Sequence, residues 1–439
     1  MALREDLLPR WDIFEEHLDE ASFLWSRRER CLVSPLFDLD ETGREEQRLL
    51  AHLEALAEGG RLITERLVEP ALESDEPERI AAAAWVLLAE RGDAAYEGLL
   101  MALEEGEEGR RRAIQRALEL WEGPERAERL KPLLTSPIAA LRVLALQVSA
   151  FHAEAPDART LAPLLAHEDS RVRSAALRCA RFLPEASRAG LIPAALAAPA
   201  PAVRRAGIEL GLLSGSRAAW VACRELAQVP SAERAWAWGV LAFGGGDREL
   251  ELVLRGLGEE NARASALWAL GFSGRLAAAD ACLEAMREAP VAALAAESFS
   301  AITGLRIEGR YAGAPPESDE ALPPLEEDLE TDLVPKPEED LPVPAVDAIA
   351  RWWQQARGQF DPRMRYLFGQ PFSGDTLLLA LERAAMRRRH VLALELALRT
   401  AGAVRLQTHG LVARQRGQLE AASGSRILVN TFDKLMTAG

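Results

Sequence analysis

Apolar and polar positions through the middle of the chain repeat every 29 to 32 residues, and arginines mark the period: Arg79, Arg111, Arg142, Arg173, Arg204, Arg234 and Arg263. One further step lands on Ala293. Three residues beyond the marks stand Ala82, Ile114, Ala145, Ala176, Gly207, Ala237, Ala266 and Ala296, small in every unit but one. Six beyond come Trp85, Ala117, Val148, Cys179, Leu210, Val240, Ala269 and Phe299; nine beyond come Leu88, Leu120, Phe151, Phe182, Leu213, Phe243, Phe272 and Ile302. Steps of three and four put these columns on one helical stripe, so each unit opens with an amphipathic helix whose small column lets a neighbour approach closely. Asp75 with Pro77, Ser136 with Pro137, Asp169, Pro201, Ser231, Asn261 and Pro290 stand where N-caps or first-turn prolines belong. Gly92, Gly215, Gly244 to Gly246 and Gly274 end several first helices. Room remains in each unit for a second helix, such as LAPLLAHE after Thr160, and Pro132, Pro163 and Pro193 recur within it.

A single helix pair cannot bury its own apolar faces, whereas stacked pairs share a continuous core. The units HEDSRVRSAALRCARFL and APAPAVRRAGIELGLLSG resemble the short HEAT-like repeats named after phycobilisome lyases: a cap residue, then V-R-x-x-A, then a glycine. The resemblance runs from Glu73 to Gly304. It implies an all-α fold, a HEAT-like α-solenoid of about eight helix-pair repeats, and it is silent on function, because such repeats occur in lyases, nucleic-acid proteins and adaptors alike.

The expected division is a helical N-terminal cap at 1–72, the repeats at 73–311, an acidic proline-rich linker or loop at 312–346, and a basic, mainly helical C-terminal domain at 347–439. At the start, ASFLWSRRERCLVSPLF and EEQRLLAHLEALAEGG resemble the opening of a conserved bacterial HEAT-repeat family whose genes tend to lie near type VI secretion loci. RMRYLFGQPFS, an RRRHVLALELAL helix and ARQRGQLEAAS resemble its ending. That resemblance implies an accessory or adaptor role and transfers no catalytic residues.

Charge changes the picture by its distribution. The formal net charge is −16. Between Ala312 and Val346 stand eleven acids, one lysine and eight prolines, a composition that buries too little surface to offset its ordering entropy. This segment is either a solvated linker or an acidic strap on the basic C-terminal region. From Asp347 onward, basic residues outnumber acids two to one. No apolar run approaches the ~20 residues of a membrane span, and the acidic start is unlike a signal peptide. A cytoplasmic location is therefore expected.

Catalytic chemistry is sought without success. Cys31, Cys179, Cys223 and Cys282 lie far apart and are read as buried free thiols; His152 and His167 are read as helix-end residues, with no ligand spacing. Gly244 to Gly246 lie between helices with no lysine following, unlike a phosphate-binding loop. No G-x-S-x-G occurs. No catalytic, cofactor or metal residues are assigned.

The repeat arginines are read as structural, bonding acids or carbonyls of the neighbouring unit. The second helices are expected to line the concave side, and their mixed charge forms no basic stripe of the kind a phosphate-gripping groove requires. Arg159, Arg224 and Arg255 on them are candidate partner contacts. Trp85, Trp236 and Trp268 are read as core. Adjacent Trp352 and Trp353 point about 100° apart on a helix, so one is expected to anchor the C-terminal region and the other to meet a partner. The favoured function is a non-catalytic protein-interaction scaffold, with a secretion component or effector as partner. The alternatives are a nucleic-acid-binding or base-excision protein using the basic stretch Arg383 to Arg416, and a tetrapyrrole lyase or its chaperone.

Overall fold

A computed structural model describes residues 10–90, 93–314 and 336–437. The fold is all-α; the described strands are one two-residue pair, Tyr366–Leu367 with Gln370–Pro371. Gly92 and residues 315–335 of the acidic segment lie outside the described residues.

Helices begin at the arginine period throughout. First helices span Pro77–Ala89, Glu108–Leu120, Ala139–Phe151, Ser170–Ala180, Pro201–Leu213, Arg234–Gly244, Arg263–Leu270 and Ala292–Thr303. Seven of them are followed by second helical segments, among them Arg126–Leu134, Ala158–Leu165, Ile192–Leu196, Arg217–Leu226 and Asp247–Arg255. The eighth is not: after Thr303 the chain runs through a short 3-10 turn at Gly309–Tyr311. Pro132 and Pro163 sit inside their second helices, where each removes a backbone donor.

All eight small-column residues are buried, Ile114 included. Gly207 shows why the column is small: a Cβ there would meet the Ala195 Cβ at 2.6 Å and its carbonyl carbon at 2.9 Å. The nine-beyond column is buried except at Phe182, which is half-buried. Each large side chain so buried contributes ~1.5–3 kcal/mol. Trp85 packs against the core and Trp268 against Phe272, as their place on or near the stripe leads us to expect. Trp85, Trp236 and Trp268 are only half-buried, while the deepest indoles are Trp25, Trp220 and Trp238, which lie off the columns read from sequence.

By compactness the chain divides otherwise than its composition suggests. One unit comprises Met1–Leu32, Leu39–Ser214 and Leu406–Gln418; the other comprises Val33–Asp38, Gly215–Arg405 and Leu419–Gly439. The basic C-terminal region is thus divided between the two, 406–418 forming contacts with the N-terminal and repeat helices of the first and the rest belonging to the second.

In the first unit, helices Trp11–Val33 and Leu39–Glu58 and the short helical stretch after Arg61 precede the repeats, and a single apolar core runs from Leu18 to Leu210. Buried Arg28 donates to Glu46 at 2.9 Å and to the carbonyls of His409 and Gly410 at 2.9 and 3.1 Å. The Val412 amide donates to the same Glu46 carboxylate at 2.6 Å. These bonds fasten the C-terminal crossing segment to the N-terminal helices.

In the second unit the C-terminal region clasps the last repeats. Trp353 Nε1 donates to Asp280 at 2.8 Å, and Arg357 forks the same carboxylate at 2.8 and 3.0 Å. The turn between the two strands docks on the final first helix, with the Phe368 and Gly369 amides donating to the carbonyls of Ala301 and Ile302. Gly304 caps that helix in the left-handed region, φ 77°. The acidic segment is closed at its base, where Gly313 N donates to Val343 O at 2.7 Å and Ala345 N to Tyr311 O at 2.8 Å. Its Glu338 pairs with Arg387 at 2.7 Å, a strap-like contact on the basic region.

Candidate functional site

The repeat arginines act on helix ends. Arg111 donates to the carbonyls of Leu103 and Glu104, both at 2.9 Å; Arg142 donates to Ser136 O; Arg173 to those of His167 and Glu168. Arg234 reaches Ala227 O at 3.3 Å and Arg263 reaches Leu257 O at 2.8 Å. Each acceptor lies at or just past the C-terminal end of the preceding second helix, where carbonyls have no intrahelical donor and the helix dipole favours a cation. Arg234 and Arg263 also pair with Glu259 and Glu288, and Arg79 with Asp19. Arg204 is half-buried.

Other residues singled out in the sequence are scattered. Arg159 and Arg255 are exposed, while Arg224 pairs with buried Glu249 at 3.2 Å. Trp353 is buried and engaged by Asp280; Trp352 is half-buried and stacked on it, ring centroids 5.9 Å apart. All four cysteines are buried free thiols, and burial pushes those of Cys31 and Cys179 up to about 11 and about 12. His167 accepts from Asp169 N at 3.0 Å in a helix-end turn. Among the described residues, no three His, Cys, Asp or Glu side chains gather as metal ligands, and no helix is long and apolar enough to cross a membrane.

Of the arginines between Arg383 and Arg416 on which a nucleic-acid reading would draw, Arg383 and Arg416 are exposed, Arg405 and Arg414 are half-buried, and the central ones face inward. Arg387, Arg388, Arg389 and Arg399 are all buried. Arg399 donates to Glu395 at 2.6 Å and to the carbonyls of Phe243, Leu428 and Asn430 at 2.7 to 3.0 Å. Glu395 also receives Arg365, and although burial opposes its ionisation, these two guanidiniums hold its carboxyl below the usual range.

A cleft of about 420 Å3 opens in the first unit, and it lies on the first helices of the repeats, not on the second helices where binding was expected. Arg116, Gln147 and Arg178 line it from three successive first helices at 31-residue steps, and Glu119, Ala150 and Arg181 form a second row. The repeat therefore builds the cleft by presenting the same two helical positions side by side. Phe151 forms its apolar wall, with the guanidinium carbons of Arg116 and Arg414 at 5.8 and 5.7 Å from the ring centre. Gln407 and His409 of the crossing segment complete it; Gln407 Nε2 donates to Phe151 O at 3.4 Å. This site was missed because the columns five and eight beyond each arginine mix charged, polar and apolar residues from unit to unit, which yields no pattern when only uniformly apolar columns are compared.

Most charges at the cleft are answered. Arg116 donates to Glu29 at 3.0 Å, to Glu119 and to the His409 carbonyl at 3.3 Å. Burial opposes the ionisation of Glu29, but Arg116 and Arg28 outweigh it and hold that carboxyl below its ordinary range. Arg181 pairs with Glu209 at 3.3 Å. Arg178 and Gln147 differ: among the described residues neither side chain has a hydrogen bond or ion pair, and both are half-buried. Beside the cleft, His152 is buried between Leu118 O and Arg414, and desolvation with the charges of Arg126 and Arg414 presses its pKa down to about 3. It is neutral at ordinary pH. A second hollow of about 490 Å3 lies between Arg44, Gln47 and Arg416, but there Arg416 is answered by Asp40 and Glu46 by Arg28 and Val412.

The class these observations define is an all-α protein of arginine-capped helix pairs, with a polar cleft in its first unit where the half-buried Arg178 guanidinium is unanswered. No protein-family model matches the chain, and no curated protein matches it.

Proposed function

We propose that this chain is a non-catalytic interaction scaffold, its helix pairs stacked as a HEAT-like α-solenoid, that holds a segment of another protein along the first-helix face. The cleft carries this reading: it offers an unpaired guanidinium and a free amide beside an apolar wall, with no nucleophile–base pair around them. A further support is the chain's own behaviour on this face. Residues 406–411 cross it without regular structure, and Arg28 and Arg116 hold their carbonyls. A partner segment entering the adjoining cleft would meet the same chemistry.

The resemblance of the two chain ends to a family encoded near type VI secretion loci points to a secretion component or effector as partner, met in the cytoplasm. The test is affinity capture from the cell of origin at moderate salt after nuclease treatment, with wild type beside Ala150→Trp, which fills the cleft. A stoichiometric protein retained by the first and lost by the second is the expected outcome. Recovery of nuclease-sensitive material alone would contradict the scaffold.

A further inference from the structure

We infer that the cleft selects an acidic residue of its partner, taking a single carboxylate between Arg178 and Gln147; the inference rests on the segment-binding reading above. The row of side chains at 31-residue steps reads Arg116, Gln147, Arg178, Glu209. Arg116 is held by two carboxylates and a carbonyl. Glu209 is engaged by Arg181. Arg178 alone among the charged members has no counterpart, and the uncharged member beside it, Gln147, has a free amide to donate. A guanidinium and an amide N–H2 facing one space present donors to an acceptor, and an ionised carboxylate is the charged acceptor-only side chain of proteins, which a guanidinium binds more strongly than a neutral carbonyl.

The surroundings limit the ligand to one negative charge. Glu119 and Glu209 stand on the same two rows as the free arginine, and Glu29 of the helix Trp11–Val33 lines the cleft with them. A nucleic-acid strand brings a phosphate with every nucleotide and would place its neighbours against these carboxylates, whereas a peptide can carry one acid between uncharged residues. The wall formed by Phe151, with Ala150 beside it, further favours an apolar side chain next to that acid.

The experiment is selection of dodecapeptides from a random library on the full chain. Each selected peptide is then synthesised with its Asp or Glu and with the matching Asn or Gln, and both are titrated against wild type, Arg178→Gln, Gln147→Ala and Ala150→Trp, whose folding is checked by thermal unfolding. A charge-assisted bond leads us to expect an affinity loss of about tenfold or more for the amide peptide on wild type, a similar loss for the acidic peptide on Arg178→Gln, and little additional loss when the two changes are combined. Peptides that Ala150→Trp abolishes but that ignore both changes would overturn the carboxylate and leave the segment-binding reading standing. Peptides indifferent to Ala150→Trp, or none selected at all, would overturn both. Displacement by a single-stranded oligonucleotide, itself weakened by Arg178→Gln, would replace the acidic peptide by nucleic acid.

Discussion

Arginine serves opposite ends in two regions of this chain. In the C-terminal region Arg399 is buried, and with Arg365 it encloses Glu395 away from water. In the first-helix row from Arg116 to Arg181, the guanidiniums line an open cleft, and one of them has no counterpart. Basic composition alone would have placed the binding site in the C-terminal stretch. What decides is how many donors are already used: a buried arginine with its acceptors in place is a structural element, and one at a cleft without acceptors is available to a ligand.

Four substitutions, with Glu128→Gln as a control, sharpen that contrast. The largest effect is expected from Glu395→Gln, which leaves Arg365 and Arg399 without their shared carboxylate in a buried site. Loss of ~3–5 kcal/mol is expected in chemical denaturation followed on the second unit, against ~0–0.5 kcal/mol for Glu128→Gln, whose partner Lys131 is exposed. Next comes His152. Its folded pKa of about 3 lies below the ordinary 6.5, so the unfolded chain binds the proton first, and the associated stability is present above pH 6.5 and lost as pH falls toward 3. By pH 4 that loss amounts to roughly 3 kcal/mol, and denaturation across this range should show a shallower pH slope in His152→Gln than in wild type. Gly207→Val drives new atoms into Ala195 and should cost ~1–3 kcal/mol, read as a lowered thermal midpoint. Smallest is Arg178→Gln, expected to change stability by less than ~0.5 kcal/mol because no bond is broken. A large destabilisation there would mean that Arg178 belongs with the structural arginines.

Much of the helical layout was legible because it is written in apolar periodicity. The columns three and nine beyond the arginines are core in the structure except at half-buried Phe182, and Pro77, Asp169 and Pro201 start helices where the sequence places them. Long-range partners were less legible. Trp220 is buried by Phe432 and bonded to Asp433, more than 200 residues away, and no local pattern announces that contact. The same holds for Arg399, whose acceptors include Phe243 O. Helix-end capping by the repeat arginines was half legible: the residue and its period were plain, but the acceptors, five to eight residues back, become visible only once the turn between helices has a shape. The cleft escaped because Arg116, Gln147, Arg178 and Glu209 share a position and not a chemistry.

The central claim, that the first helices and not the second carry the partner, is tested most directly by photo-crosslinking. A crosslinking residue is placed at Ala150 in the cleft or at Val221, an exposed position on the second helix Arg217–Leu226, and each protein is irradiated in extract of its own cell. The account expects a discrete protein adduct from position 150 and none from 221. An adduct from 221 with none from 150 would contradict it and return the binding face to the second helices.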